Sequence, residues 1–550
     1  MRDFTRRLSI LLVLAVPVTG QDPIAPLVER IEVRVVNVDV TVTDREGRPV
    51  PALGPEDFEI FEDGVRQEIT GFYEIRDAAV TVGMTGEVEP EPVQQRFRRR
   101  MVLLFDNNSV SKAHRNGAIE YVNDFIDNEF SEDYEWSVIA TGGPNVRTLQ
   151  SFTNDKDAIR SALLKVRSMP TFEHQRAIRR DILADPARAK LQEFDSGYDF
   201  GETARFVGRE QTMRNMMASA ATARAIIQTC RAFSAAPGKK VMLLITGGID
   251  LNTTFGAFEQ DRDRKLLEMR REIEQVFDHV VREANASDFN VYVVQAGGLQ
   301  SQASQHDVSN KGAGLGGTMS NPFFGDGYTK TTDVKDLDSV SLTLALGTGG
   351  RYLPGNRVSE SLVRVDDSTS NFYSLGYRPA GPEDGRYHRI EVRAKRPGLR
   401  VRHREGYAAF SEHLRLERSL RSPLTFAKEK GSLPVTIELG DAPGRSGKTR
   451  TLPVIAAIPA NLITFLPANE HYLGRIHVYV AVYDDEGENI AYHYQAKDLD
   501  VPAAQIGQVA QIPFRYQADI PLARGSYTIV ITMRDELSDQ FGTAFQDVRI

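Results

Sequence analysis

The apolar run 101–105 ends in Asp106, and Asn107, Asn108, Ser109 and Ser111 follow within five residues. Carboxylate, amide and hydroxyl oxygens without thiolate or imidazole suit Mg²⁺, Mn²⁺ or Ca²⁺ rather than zinc. The pattern predicts a buried strand that delivers these oxygens at its carboxyl end. In a doubly wound α/β sheet, that end is where ligands bind.

Such a site needs a parallel sheet behind it. Apolar runs at 101–105, 136–140, 147–152, 241–245, 290–295 and 351–353 predict strands. Helical patterns at 113–130, 156–166, 212–233, 259–284 and 337–346 lie among them. The run 241–245 is near-continuously apolar, as expected for a strand covered on both faces. Repeated βα units predict a mostly parallel sheet flanked by helices. Two inserts interrupt it: 167–210, charged and aromatic, and 299–334, rich in Gly, Ser, Asn and Thr.

The flanks read as β. Val36, Val38, Val40 and Val42 alternate with Asn37, Asp39, Thr41 and Thr43, the period of a half-buried strand. Asp63-Gly64 marks a hairpin turn. Residues 28–76 therefore predict a small β-sandwich-like unit, or a sheet docked on its neighbour, followed by a linker at 77–98. Residues 371–408 return to β pattern and close the 99–410 module with a β-rich extension. A polar helical linker at 411–425 leads to 426–550, where strand patterns at 435–439, 476–483, 490–494, 512–518 and 527–533 predict a β-sandwich.

The first twenty residues read as a signal peptide. Arg2, Arg6 and Arg7 precede an apolar run, and Val18-Thr-Gly20 puts small residues before a cut at Gln21. The run is too short to span a bilayer, so the expectation is an exported chain, periplasmic or extracellular and not membrane-spanning. Removing this segment takes the net charge from −8 to −10, because three arginines and one aspartate leave. A net acidic chain argues against general nucleic-acid binding. Cys230 is the only cysteine, which excludes an intramolecular disulfide.

The strand before Asp106, together with Lys239-Lys-Val-Met-Leu-Leu-Ile-Thr-Gly-Gly248, resembles a von Willebrand factor type A domain. Other segments resemble the exported VWFA-related family typical of acidobacteria. These are Val38-Asp-Val-Thr-Val-Thr-Asp-Arg-Glu-Gly47, Pro55-Glu-Asp-Phe-Glu-Ile-Phe-Glu-Asp-Gly64, Phe152-Thr-Asn-Asp155, Pro237-Gly-Lys-Lys240, Tyr373-Ser-Leu-Gly-Tyr377, Tyr387-His-Arg-Ile-Glu-Val392, Pro397-Gly-Leu-Arg-Val-Arg402 and Gly406-Tyr407. The resemblance covers about 28–410. It implies an α/β, Rossmann-like type A domain that binds proteins through a metal-ion-dependent adhesion site or its remnant.

That site's pattern is Asp-x-Ser-x-Ser, a threonine in a second loop and an aspartate after the fourth strand. Asp106 matches the first position. Asn108 and Val110 replace the serines, with Ser109 and Ser111 one residue out of step. Gly247 stands where the aspartate is expected, Asp250 follows three residues on, and Thr212 is the candidate threonine. The implied metal set is Asp106, Asn108, Ser109, Ser111, Thr212 and Asp250, for Mg²⁺ or Mn²⁺. The implied partner contacts are Asp106, Asn107, Asn108, Gly247 and Gly248. With one confident anionic ligand the site is degenerate and the ion weakly held.

No His-Glu-x-x-His pair and no phosphate loop opens a helix. His388 and His403 fall on strand pattern and read as sheet residues. Tyr472, Tyr479, Tyr483, Tyr492 and Tyr494 read as strand packing rather than a carbohydrate platform. The expectation is an exported, non-enzymatic, adhesion-type protein with an unidentified protein partner and cell-envelope association. Its rivals are a secreted enzyme with a site in the inserts and an envelope module binding through its β-sandwiches.

Overall fold

The computed structural model describes residues 35–76, 79–82, 98–130, 134–142, 145–171, 200–236, 238–249, 264–296, 339–354, 358–422, 433–440, 449–485, 489–538 and 540–550. These fall into two compact units, one within 33–412 and one comprising 413–550 with 231–233.

Valine alternation builds the first strand of the larger unit, β1 (Val36–Thr43), whose four valines are all buried. It is followed by β2 (Phe58–Glu62), β3 (Val65–Gln67), β4 (Ile69–Arg76) and β5 (Ala79–Val82). The central sheet comprises β6 (Arg99–Phe105), β7 (Tyr134–Gly142), β8 (Asn145–Thr153), β9 (Lys239–Thr246), β10 (Phe289–Gln295) and β11 (Tyr352–Pro354). Its order is β11-β10-β9-β6-β7-β8, parallel throughout except for β8 at the edge. The sheet grows outward from β6 in one direction and from β9 in the other, so the chain reverses between these two neighbours. This is the doubly wound order, with its switch point between β6 and β9.

Helices follow from caps and periodicity. Ser111 caps α1 (Lys112–Asn128) by accepting from His114 N. Asp155 caps α2 (Lys156–Ser168), which buries Ile159, Ala162, Leu163 and Val166, a single helical stripe. These two helices and α6 (Val358–Ser370) share one core with Leu103, Phe105, Leu243 and Ile245. Before α6 in the chain come α3 (Phe200–Ala232), α4 (Arg264–Ala286) and α5 (Ser339–Gly347), the last two packing on β10. The helix at 358–370 was not legible in the sequence pattern, and α3 begins twelve residues before the predicted 212.

After α6 come β12 (Phe372–Tyr377), β13 (Tyr387–Ala394), β14 (Arg400–Arg402) and β15 (Gly406–Ala408). Strand β12 lies between β1 and β4 in one sheet, and β13 lies between β2 and β15 in another. Residues 36–76 therefore share both sheets with 372–408, which sequence reading assigned to the neighbouring module. One core joins them, with Phe58 and Tyr373 rings 5.5 Å apart. Buried charges tie this β module to the central sheet. Lys239 Nζ lies 2.7 Å from Asp39 Oδ2 and 3.4 Å from the Phe372 ring centroid. Arg404 pairs with Asp288 and donates to Asn37 O at 2.9 Å.

The second unit begins with α7 (Glu412–Leu420). Its strands are β16 (Thr436–Leu439), β17 (Thr449–Pro459), β18 (Leu466–Ala468), β19 (His471–Asp484), β20 (Asn489–Pro502), β21 (Pro513–Ala523), β22 (Ser526–Asp535) and β23 (Phe541–Arg549). They form antiparallel sheets, β16-β17-β21 and β18-β19-β22-β23 with β20 on β19. Alternate residues of β17 and β21 share one core with those of β19 and β22.

Candidate functional site

Asp106 leaves β6 at the switch point, and its side chain is wholly buried. Three hydroxyls converge on Oδ2: Ser109 at 2.5 Å, Thr222 at 2.9 Å and Thr246 at 3.1 Å. The other oxygen accepts from Asn108 N at 3.3 Å and Thr141 Oγ1 at 3.4 Å. Thr141 and Thr246 sit at the carboxyl ends of β7 and β9, on either side of Asp106, and Thr222 reaches in from α3.

Local geometry explains why Ser109 is the serine that arrives. The chain turns helically after β6, with Ser109 N donating to Asp106 O at 3.2 Å and Val110 N to the same oxygen at 3.1 Å. A three-residue step brings Ser109 back over Asp106, whereas Val110 points into the core and Ser111 is spent on the α1 cap. The out-of-step serine is thus in step with the turn.

The hydroxyls are also fixed from their other side. Ser109 Oγ accepts from Gly247 N at 3.0 Å, Thr246 Oγ1 from Gly248 N at 3.1 Å, and the two hydroxyl oxygens are 2.8 Å apart. Gly247 is required by this closeness, since a Cβ there would lie 2.3 Å from Ser109 O. Gly248 has φ +121°, a backbone conformation that favours glycine. Burial pushes the Asp106 carboxyl above the ordinary carboxylate range, and the hydroxyls of Ser109, Thr222 and Thr246 oppose that shift.

Beneath the network, Asn107 is structural. Its amide donates to Thr141 O at 2.9 Å, and its carbonyl accepts from Arg115 Nη1 at 3.4 Å. The wholly buried Arg115 guanidinium also donates to Arg167 O at 2.8 Å and Met169 O at 2.7 Å.

Of the residues expected to hold a metal, Asp106 and Ser109 meet. Asn108 contributes its backbone amide to Asp106, and Ser111 is a helix cap. Thr212 lies in α3 with its side chain outside the described residues, and the threonine of that helix brought to Asp106 is Thr222. Asp250 lies outside the described residues. Of the expected partner contacts, Asp106, Asn107 and Asn108 are buried, and Gly247 and Gly248 are half-buried at the rim. Sequence reasoning missed Thr141, Thr222 and Thr246. Thr141 and Thr246 carried a signal, a polar residue ending an apolar strand beside glycine; Thr222 carried none.

The donor set fits a hard cation poorly. One buried carboxylate is matched by three hydroxyls whose hydrogens it already accepts, and among the described residues no second carboxylate bonds to the network. The second negative charge that a divalent ion needs would have to come from a partner or a bound anion.

In the second unit, Tyr479 and Tyr483 are buried, Tyr479 Oη is 2.6 Å from His413 Nδ1 and Tyr494 Oη is 2.8 Å from His477 Nδ1. These tyrosines pack.

No protein-family model matches the chain, and no curated protein matches it. Among solved structures, the SpRpn10 VWA domain aligns with 36% of this chain and 74% of its own, at 8% identity and TM-score 0.17. A Bacteroides uniformis beta-glucuronidase aligns with 33% of this chain and 19% of its own, at 10% identity and TM-score 0.15. Likenesses of this degree carry no weight for the site's role. Among the described residues, no helix is long and apolar enough to cross a membrane.

Proposed function

We propose that this is an exported, non-enzymatic, adhesion-type protein whose central domain is of the von Willebrand factor type A kind. In this reading it recognises a protein partner at the carboxyl edge of the β6–β9 sheet, through a degenerate metal-ion-dependent adhesion site. The observation that carries the proposal is the closed network of Asp106, Ser109, Thr222 and Thr246 at the switch point. It occupies the place where an open α/β sheet binds its ligands. It also holds the 106–111 and 247–249 loops against each other as a preformed rim.

The network's chemistry supports binding over catalysis. The Ser109 and Thr246 hydroxyls donate to a carboxylate and accept from backbone amides, and among the described residues no histidine bonds to either. Their donors are committed to Asp106, which makes them a floor beneath the rim rather than ligands awaiting an ion. An acidic side chain from a partner is the group that would complete a cation here, since the site itself lacks the second negative charge.

The test uses immobilised full chain and cell-envelope extract. Ala113→Arg places a bulky charge on exposed surface at the start of α1, and Arg450→Glu alters exposed surface on the second unit. Loss of capture by Ala113→Arg alone supports the carboxyl-edge reading. Loss by Arg450→Glu alone overturns it in favour of an envelope module acting through its second unit.

A further inference from the structure

The hairpin turn at Asp63-Gly64 does more than reverse the chain. Asp63 and Gly64 have φ of 48° and 81°, the left-handed pair that a tight two-residue turn requires. Asp63 N donates to Arg389 O at 2.9 Å and Asp63 Oδ1 accepts from Arg389 N at 2.8 Å, so the turn is clamped to β13. This clamp sets the Asp63 side chain beside His388, whose Nδ1 is 2.9 Å from Asp63 Oδ2 and 3.5 Å from Glu62 Oε1. One ligand atom from each of the three residues lies within 4.8 Å of the others.

We propose that Glu62, Asp63 and His388 form a binding site for a divalent transition cation of the Zn²⁺ or Mn²⁺ class, separate from the Asp106 network. Three observations carry it. The first is spacing: ligands about 2.1 Å from an ion sit roughly 3.0–3.4 Å apart on an octahedron or tetrahedron. The 2.9 and 3.5 Å separations lie within about 0.1 Å of such edges, and the Glu62 and Asp63 oxygens lie within 4.8 Å of each other. The second is charge: two carboxylates and a neutral imidazole balance a divalent ion, whereas an ion pair with His388 leaves one carboxylate over. An imidazole among the donors favours Zn²⁺ over Mg²⁺ or Ca²⁺, and the two carboxylates also suit Mn²⁺.

The third is support from behind. Tyr407 Oη donates to Glu62 Oε2 at 3.2 Å, and the Tyr407 ring stacks on His388 with centroids 5.4 Å apart. Contacts of this kind fix the orientation of metal ligands. Behind them, Tyr377 on β12 of the facing sheet is wholly buried with its hydroxyl toward Glu62 and Tyr407. Access is open on the other side, where the Asp63 side chain is 54% exposed against 10% for Glu62.

The experiment is calorimetric and thermal-shift titration of the full chain, free of any histidine tag, with Zn²⁺ and Mn²⁺. The expected result is one saturable site per chain and a raised Tm. Glu62→Gln and His388→Gln should each weaken binding by more than about tenfold, and Asp106→Asn should leave it unchanged. No saturable binding by folded wild type overturns the proposal, as does binding that survives both the Glu62 and His388 changes. X-ray absorption on the Zn²⁺-loaded wild type is independent of how the variants fold. One nitrogen among oxygens supports the site, and an all-oxygen shell overturns it.

Discussion

Asp106 and the Glu62–Asp63–His388 group are both built from carboxylates at strand ends, yet they solve the problem of negative charge in opposite ways. Asp106 is sealed in and satisfied from within, by hydroxyls that are themselves held by amides of Gly247 and Gly248. The second group keeps Asp63 in solvent and sets two carboxylates against one imidazole. The difference teaches that a pattern of oxygen donors points to a cation only where the charge count suits one as well.

The sharpest way to break the contrast is to pry the sealed site open. Gly247→Ala would drive a Cβ into Ser109 O, a backbone atom 2.3 Å away. It should cost about 3 kcal/mol, at the upper end for overpacking, as read by urea unfolding. Asp106→Ala comes next. It removes a desolvated carboxylate but leaves the Ser109, Thr222 and Thr246 hydroxyls and Asn108 N without their acceptor, for a net loss of about 2 kcal/mol. Asp106→Asn, which keeps an acceptor oxygen, should lose about half as much. A variant as stable as wild type would mean the network does not hold the loops.

A smaller effect sharpens the comparison through pH. Burial holds Asp106 above the ordinary carboxylate range, so the folded chain binds that proton more tightly than the unfolded chain does. Its contribution is fully present below the unfolded pKa and is lost as pH rises through the folded pKa. Asp57 is the opposite case. The Gly54 amide, 2.9 Å away, and the Arg396 guanidinium hold it below the ordinary range. Its contribution is present above the unfolded pKa and is lost as pH falls through the folded pKa. From about pH 3 to pH 7, Asp106→Asn should therefore gain stability relative to wild type and Asp57→Asn should lose it. In urea unfolding across that range, a trend of the opposite sign in either variant would contradict that residue's assignment.

The smallest effect is at Tyr377. Its hydroxyl lies toward Glu62 and Tyr407, so Tyr377→Phe should cost about 0.5 kcal/mol, the low end for one hydrogen bond. Unchanged stability in urea unfolding would mean that the hydroxyl contributes none.

Much of the central sheet was legible because its strands are covered on both faces and read as uninterrupted apolar runs, as at 101–105 and 241–245. Asp106 was legible for the same reason, since a charged residue ending such a run has few places to go. Thr222 was not, because nothing local marks one helical threonine as facing a carboxylate 116 positions away in sequence. The sharing of sheets between 36–76 and 372–408 was hidden likewise: alternation identifies a half-buried strand but not its neighbour. Strand β17 was absent from the sequence reading. Its Pro453 lies just past the end of β16, where Gly440 N donates to Pro453 O at 2.8 Å and only the return bond is forgone. His388 read as an ordinary sheet residue, because the turn that brings Asp63 beside it belongs to a hairpin more than three hundred residues earlier.

The most direct test of the contrast is one calorimetric series: the full chain titrated with Mn²⁺ and with Mg²⁺, beside Asp106→Ala and His388→Gln. The account predicts saturable Mn²⁺ binding that persists in Asp106→Ala and is lost in His388→Gln, with no saturable Mg²⁺ binding in any of the three. Mn²⁺ or Mg²⁺ binding that disappears in Asp106→Ala and persists in His388→Gln would contradict it, and would make the hydroxyl network the metal seat.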